Sequence, residues 1–413
     1  MSSADSFQPP SLAYALAQEL IATYGSPLYV YQCDRLQQTI QRITQAVPYP
    51  RTQFHFASVT NGNVTLLQQF RQAGWGLHAN TPGDMYLGLH AGFRPAQIVY
   101  SGSNLSRAEM VQALDWGIST FNWDSLGQLQ LFCEVYQTSR HPLPTPPRLG
   151  LRLNLPDVTG ESRIGVRPPD FAAATQLARQ YGLTLSGLHF YRGTGTNATR
   201  AFTQVIQTVL TVAQQLPDWR YLDFGGGFGY PYRHDGAAFS WEEFGADLTC
   251  QLTQLDRTID LVIEPGRAAI AGCAMLLAQV IAVKWQGNKQ IIGVDTTVAN
   301  LSVPSVHGGY REIVPLRPPA QDTAASTLFV TDVCGNTTYS RDYLGRNCNL
   351  PALNPGDRIA ILDVGAYGYA MSSHFLHRPR PAEVLAAGST YRLIRQREDY
   401  SILLANQIFA SEY

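Results

Sequence analysis

The 413-residue sequence predicts an α/β protein: a (β/α)8 barrel followed by an all-β domain. Three observations predict this. Strand-like and helix-like runs alternate about eight times between Phe54 and Ala271. The rhythm then changes, after residue 275, to β-rich runs separated by Gly, Pro and Asn turns. A glycine run, Gly225–Gly227, directly follows one of the barrel-type strands, where barrels carry their sites.

The elements follow in order. Ser11–Tyr24 has helical spacing and stops at Gly25, Pro27–Tyr31 is β-branched and aromatic, and Cys33–Val47 is again helical. The barrel units then pair a strand with a helix: Phe54–Val59 with Val64–Ala73, Gly76–Ala79 with Gly83–Ala91, Ile98–Tyr100 with Arg107–Trp116, and Thr120–Asn122 with Leu126–Tyr136. Leu149–Leu153 pairs with Pro169–Tyr181, Leu185–Phe190 with Ala201–Gln215, Tyr221–Phe224 with Trp241–Leu252, and Asp260–Ile263 with the run opened by Ala268–Ala271. Beyond it, Leu276–Trp285, Lys289–Val294, Thr327–Thr331, Asp357–Leu362 and Tyr391–Leu403 read as strands. The proline-rich Pro142–Pro147 reads as a surface loop.

A formal net charge of −1 and the lack of any run of like charge argue against a nucleic-acid partner. No apolar run is long enough to span a bilayer, and the N-terminus lacks the pattern of a signal peptide. Six scattered cysteines without a CxxC pair are expected to be reduced, so the expected location is cytoplasmic. No HExxH motif or Cys/His cluster suggests a metal. Lysine is almost missing: Lys284 and Lys289 are the only two, and the remaining positive side chains are arginine.

That scarcity matters because of two neighbouring motifs. In Asp223-Phe-Gly-Gly-Gly-Phe-Gly229, consecutive glycines let backbone N–H groups approach a phosphate without Cβ obstruction. Glu264-Pro-Gly-Arg267 follows the next strand; Arg267 suits a charge-assisted contact to phosphate, and Glu264 suits a protonated pyridine nitrogen. Each also has a plainer reading, as a tight turn and as a structural ion pair.

With Ser26–Tyr31, Asp363–Gly368 and Arg378–Val384, these motifs make the chain resemble, over nearly its whole length, the fold-type III pyridoxal-phosphate decarboxylases. That group holds the diaminopimelate, ornithine and arginine decarboxylases. The resemblance implies an alanine racemase-like TIM barrel that binds the cofactor, and a C-terminal β domain that includes the N-terminal strand. The implied domains are 1–35 (helix and strand joining the β domain), 36–275 (barrel) and 276–413 (β domain). It also implies a homodimer whose active sites lie at the subunit interface, acting on a small amine or amino acid.

Carried over by position, Gly225, Gly226, Gly227, Arg267, Tyr367 and Thr194 hold the phosphate of pyridoxal 5'-phosphate, and Glu264 faces its pyridine nitrogen. Tyr191 stands where the relatives stack a histidine on the ring, and Cys334 matches the cysteine that enters from the partner subunit. The pattern breaks elsewhere. In Phe56-Ala-Ser-Val-Thr-Asn61, Val59 occupies the position of the family lysine, which links the cofactor covalently and moves a proton. His78 replaces an aspartate, Gly335 replaces the acid after the cysteine, and Val303 aligns with an arginine for a distal carboxylate.

The expectation is therefore a pyridoxal-phosphate-binding homologue, with no covalent imine to the chain, that is not a standard decarboxylase and acts as a pseudoenzyme, a carrier or a regulatory partner. Two alternatives stay open. One is an active decarboxylase or lyase of altered mechanism, with His78, Tyr191 or Cys334 handling protons. The other is a binder of a different phosphorylated small molecule. His189, His307 and His374 are weaker candidates.

Overall fold

The computed structural model describes residues 10–139, 143–193, 195–233, 235–318 and 327–408. Thr194, and Pro142 of the proline-rich loop, lie outside the described residues. The chain divides into two compact units: a barrel unit of residues 37–231 and 237–269, and a β unit of residues 1–36, 232–236 and 270–413.

In the β unit, strand β1 (Leu28–Gln32) is the first strand of the chain. The barrel is closed by eight parallel strands: β2 (Thr52–Ala57), β3 (Gly76–Ala79), β4 (Ile98–Tyr100), β5 (Thr120–Trp123), β6 (Arg148–Arg152), β7 (Leu185–His189), β8 (Tyr221–Asp223) and β9 (Asp260–Ile263). Closure is made by β2 against β9, with Phe54 opposite Ile263. Such strands are covered on both faces, which explains why they read as short apolar runs.

Helices between the strands are capped by their own sequences. Thr81 with Asp84, and Ser106 with Glu109, form capping boxes at the helices Pro82–His90 and Arg107–Asp115. Asn63 and Ser125 cap the helices Val64–Gln72 and Leu126–Thr138. These side chains satisfy amides that the first helical turn leaves without partners.

The β unit adds β10 (Ala274–Gln286), β11 (Lys289–Val294), β12 (Ile313–Leu316), β13 (Leu328–Cys334), β14 (Tyr343–Pro351), β15 (Arg358–Leu362), β16 (Ala382–Ala387) and β17 (Thr390–Arg395). They form one sheet in the order β14-β13-β11-β10-β1-β16-β17, with β15 pairing β10 and β12. The strand β1 lies between β10 and β16, antiparallel to the first and parallel to the second.

Alternation builds the core of this unit. Leu28 and Val30, Met275 and Leu277, Ala360 and Leu362, and Ala382, Val384 and Ala386 all turn to one face. The helix Tyr14–Tyr24 packs Ala17, Leu20 and Ile21 against that face. The N-terminal strand and the alternating C-terminal strands thus share one buried layer, as the predicted architecture requires.

Several boundaries differ from the sequence reading. The run Phe54–Val59 stops as a strand at Ala57, and Ser58–Thr60 forms a 3-10 turn that carries Val59. Ala201–Gln215 is two helices, Thr199–Thr203 and Ile206–Ala213. Tyr391–Leu403 is strand only to Arg395, followed by a 3-10 helix from Tyr400.

Candidate active site

Parallel strands present their carboxyl ends at one face of a barrel. From β3 to β9 each strand delivers a polar side chain at or just beyond that end: His78, Ser101, Asn122, Arg152, His189, Asp223 and Glu264. Except for the half-buried Arg152 they are buried, with Ser101, Asn122 and Asp223 fully so. Buried polar groups must find partners, and these find one another.

Asp223 accepts from Asn122 Nδ2 at 2.9 Å and from the Gly225 amide at 3.0 Å. Asn122 also donates to Ser101 Oγ at 2.9 Å and accepts from the Tyr221 hydroxyl at 2.8 Å. Ser101 and Asp223 are close enough to Glu264 to act on its carboxyl. His189 Nε2 lies 3.3 Å and His78 Nε2 3.5 Å from the same oxygen, Glu264 Oε2. Glu264 Oε1 is buried and has no hydrogen-bond partner among the described residues.

Burial dominates the charges. It raises the Glu264 carboxyl to about 7, against hydrogen bonds from Asp223 and Ser101 and the attraction of Arg152. Burial and then the neighbouring Glu264 push Asp223 well above the usual carboxylate range. Burial lowers His189 to about 4 and His78 well below the ordinary imidazole value. Both imidazoles are therefore neutral at neutral pH, and their contacts with Glu264 are hydrogen bonds or dipolar contacts rather than ion pairs. Atoms of His189, Asp223 and Glu264 lie within 4.8 Å of one another, in keeping with these contacts.

The glycine run wraps over the end of β8. Gly225 and Gly227 have φ of 65° and 95°, and a Cβ on them would come within 2.0 Å of Phe190 O and 2.2 Å of Gly193 O. Only glycine fits such conformations at such backbone distances. The amides of Gly226 and Gly227 have no acceptor among the described residues. A Cβ on Gly227 would also lie 3.5 Å from the Tyr191 ring, and one on Gly195 would lie 3.4 Å from the Arg267 guanidinium. The Arg152 guanidinium sits 5.2 Å from the centroid of the Tyr191 ring. The structure thus gathers Gly225–Gly227, Glu264, Arg267, His78 and Tyr191 in the barrel unit.

Residues 33–271 match the model of the pyridoxal binding domain of pyridoxal-dependent decarboxylases. The chain belongs to that decarboxylase family. Over 407 residues it is 31% identical to the diaminopimelate decarboxylase of Methanothermobacter thermautotrophicus, covering 95% of this chain and 94% of that one. The enzyme of the same name from Aquifex aeolicus is 29% identical over 403 residues, covering 94% and 93% of the two chains. Among solved structures, diaminopimelate decarboxylase from Helicobacter pylori complexed with L-lysine superposes with a TM-score of 0.84 at 27% identity, covering 94% of this chain and 98% of the other. A lysine/ornithine decarboxylase from Vibrio vulnificus shares the fold, with a TM-score of 0.80 at 21% identity, over 91% of this chain and 97% of its own.

The residues present fit the family's cofactor. An unpartnered buried carboxylate oxygen of Glu264 suits a pyridine N–H, and two free amides beside an arginine suit a phosphate. The remaining candidates stand in the β unit. Tyr367 lies beyond β15 with a left-handed φ of 59°. Cys334 ends β13, half-buried, and burial raises its thiol above the ordinary value. Val303 is buried in the short helix Val303–Val306. Both lysines belong to the β10–β11 hairpin, where Lys289 pairs with Asp332 at 2.7 Å.

Sequence reasoning passed over Ser101, Asn122 and Arg152 and gave Asp223 no role. Their common signal is a polar residue at the carboxyl end of a short apolar strand, repeated around the barrel.

Proposed function

We propose that this chain binds pyridoxal 5'-phosphate in its barrel without a covalent link, and that it is not a standard decarboxylase. The carrying observation is Val59. The resemblance puts the family lysine at this position, and a valine has no amine to offer. Ser58 Oγ donates to Asp84 at 2.9 Å and Thr60 Oγ1 to Ala57 O at 2.8 Å, so the turn is fixed on both sides of a Val59 that is 43% exposed. No other lysine lies in the barrel unit.

In this reading the Gly226 and Gly227 amides and Arg267 hold the phosphate, joined by Tyr367 and Thr194 as the resemblance implies. Glu264 holds the pyridine nitrogen through Oε1. Tyr191 lies against the ring, its orientation supported by Arg152. When bound, the cofactor supplies an electron sink for a carbon bearing an amine. His78 and His189, kept neutral, each carry one ring N–H and one acceptor nitrogen, and neither holds a second proton at neutral pH. The protein is then a carrier, or a regulatory partner of an active paralogue, and the resemblance implies a homodimer with Cys334 supplied across the interface.

A second reading is an active lyase of altered chemistry. The observation that favours it is the pair of buried carboxyls, Asp223 and Glu264, with His189 and His78 against Glu264, at the carboxyl face of the barrel. Equilibrium dialysis with pyridoxal phosphate tests the first reading. The wild type binds, and Arg267→Ala binds at least roughly tenfold more weakly, as loss of a charged hydrogen bond implies. Equal binding by both proteins counts against the cradle. Carbon dioxide released from any member of a panel of amino acids favours the second reading.

A further inference from the structure

The loop after Cys334 in the β unit carries an arrangement that the barrel cofactor does not explain. Asp342 is 3% exposed, and its carboxylate is fully engaged. Oδ1 accepts from the Val298 amide at 2.7 Å and from Thr297 Oγ1 at 3.1 Å, and Oδ2 accepts from the Thr337 amide at 3.1 Å. A Cβ at position 335 would lie 2.1 Å from Asp342 Oδ1, so Gly335 is glycine because this carboxylate fills the space beside it. The acid of this loop is thus turned inward as an anchor.

The anchor presents the residue before it. Arg341 is exposed, and its carbonyl accepts from Ser305 Oγ, which ties the loop to the helix Val303–Val306. On β14, the Arg346 guanidinium stacks 3.6 Å from the centroid of the Tyr343 ring. Pro304, Ser305, Arg341, Tyr343, Gly345 and Arg346 line a cavity of about 340 Å³. Neither arginine has a carboxylate partner among the described residues, and the nearest acid in sequence, Asp342, is buried and engaged. Two unpaired guanidiniums on a concave wall, one of them held flat on an aromatic ring, suit planar bidentate recognition of an oxyanion.

We propose that this cavity binds a small oxyanion, a carboxylate or phosphate group gripped by Arg341 and Arg346. The proposal does not depend on pyridoxal phosphate in the barrel. Its test is calorimetric titration of the full chain with glutarate and with inorganic phosphate, at ionic strength matched with sodium chloride. Glutarate binds the wild type and Arg267→Ala alike, and binds Arg341→Ala/Arg346→Ala roughly ten- to a hundredfold more weakly. Both arginines are exposed, so their replacement is expected to leave the fold intact, which circular dichroism of the double variant checks. Absence of binding by both probes, or binding of each that is no weaker in the double variant than in the wild type, overturns the proposal. Phosphate identifies the source of the oxyanion: weakened only in the double variant, it belongs to this cavity; weakened only in Arg267→Ala, it belongs to the barrel cradle, and carboxylate is then the ligand class here.

Discussion

Val59, Glu264 and Arg267 carry the functional argument at the scale of single residues. A valine on a fixed, half-exposed turn is open to a simple replacement. Val59→Lys adds an amine where the resemblance places one, and incubation with pyridoxal phosphate followed by borohydride then adds a stable mass to the chain. An unchanged mass for this variant argues that position 59 does not face the cofactor. Glu264 makes a different prediction. Its folded-state carboxyl titrates near 7, above the ordinary value of about 4.3, so the folded state holds more proton than the unfolded state between those limits. Stability attributable to this group therefore falls as pH rises from about 4.5 to 7. Glu264→Gln, measured by urea unfolding, gains on the wild type across that window; a constant difference contradicts the assignment. His55 works in the opposite direction. Burial, with Arg148 adding to it, lowers His55 to about 4, so folding loses stability as pH falls from about 6.5 through 4 while the unfolded imidazole takes up its proton. His55→Gln flattens that acid limb by roughly 3 kcal/mol if the full difference is realised.

Among the elements, the loop 335–342 is the most exposed to a single change. Asp342→Ala leaves the Val298 and Thr337 amides without their acceptor and opens the space that Gly335 vacates. It should cost about 2 kcal/mol or more in chemical denaturation, and should also weaken glutarate binding by releasing Arg341. A variant as stable as the wild type contradicts the anchoring role. The elements also show what the sequence made legible. The barrel strands are readable because they are short runs rich in apolar residues alternating with helical runs, and β3, β4 (as Ile98–Tyr100) and β9 fall where their pattern places them. The strand β14 was not, because Tyr343–Pro351 holds Gly345, Asn347, Asn349 and Pro351 and becomes a strand through pairing with β13. The strand β16 is alanine-rich and reads poorly by propensity, yet it is buried between β1 and β17. The strand pattern of Phe54–Val59 runs two residues into the turn Ser58–Thr60, whose shape is fixed by hydrogen bonds from Ser58 and Thr60.

For the whole molecule, the glycine run and Glu264–Arg267 pointed to the barrel face before any coordinates did. The polar ring around that face was hidden, since one serine, one asparagine or one arginine in a short strand carries no signal until eight strands bring their ends together. The resemblance implies an assembly in which Cys334 serves the partner's barrel. Sedimentation of the full chain then gives a dimer, and a monomer at micromolar concentration contradicts that arrangement. The proposed binding holds the cofactor by shape and charge, with no bond to the protein. Intact-mass spectrometry of the wild type, saturated with pyridoxal phosphate and treated with borohydride, tests it most directly. The proposed binding gives no label beyond what Lys284, Lys289 and the N-terminal amine take up equally in Arg267→Ala, with the cradle-bound cofactor recovered in the filtrate; one equivalent of reduced pyridoxal phosphate on the wild type that is lost in Arg267→Ala contradicts it.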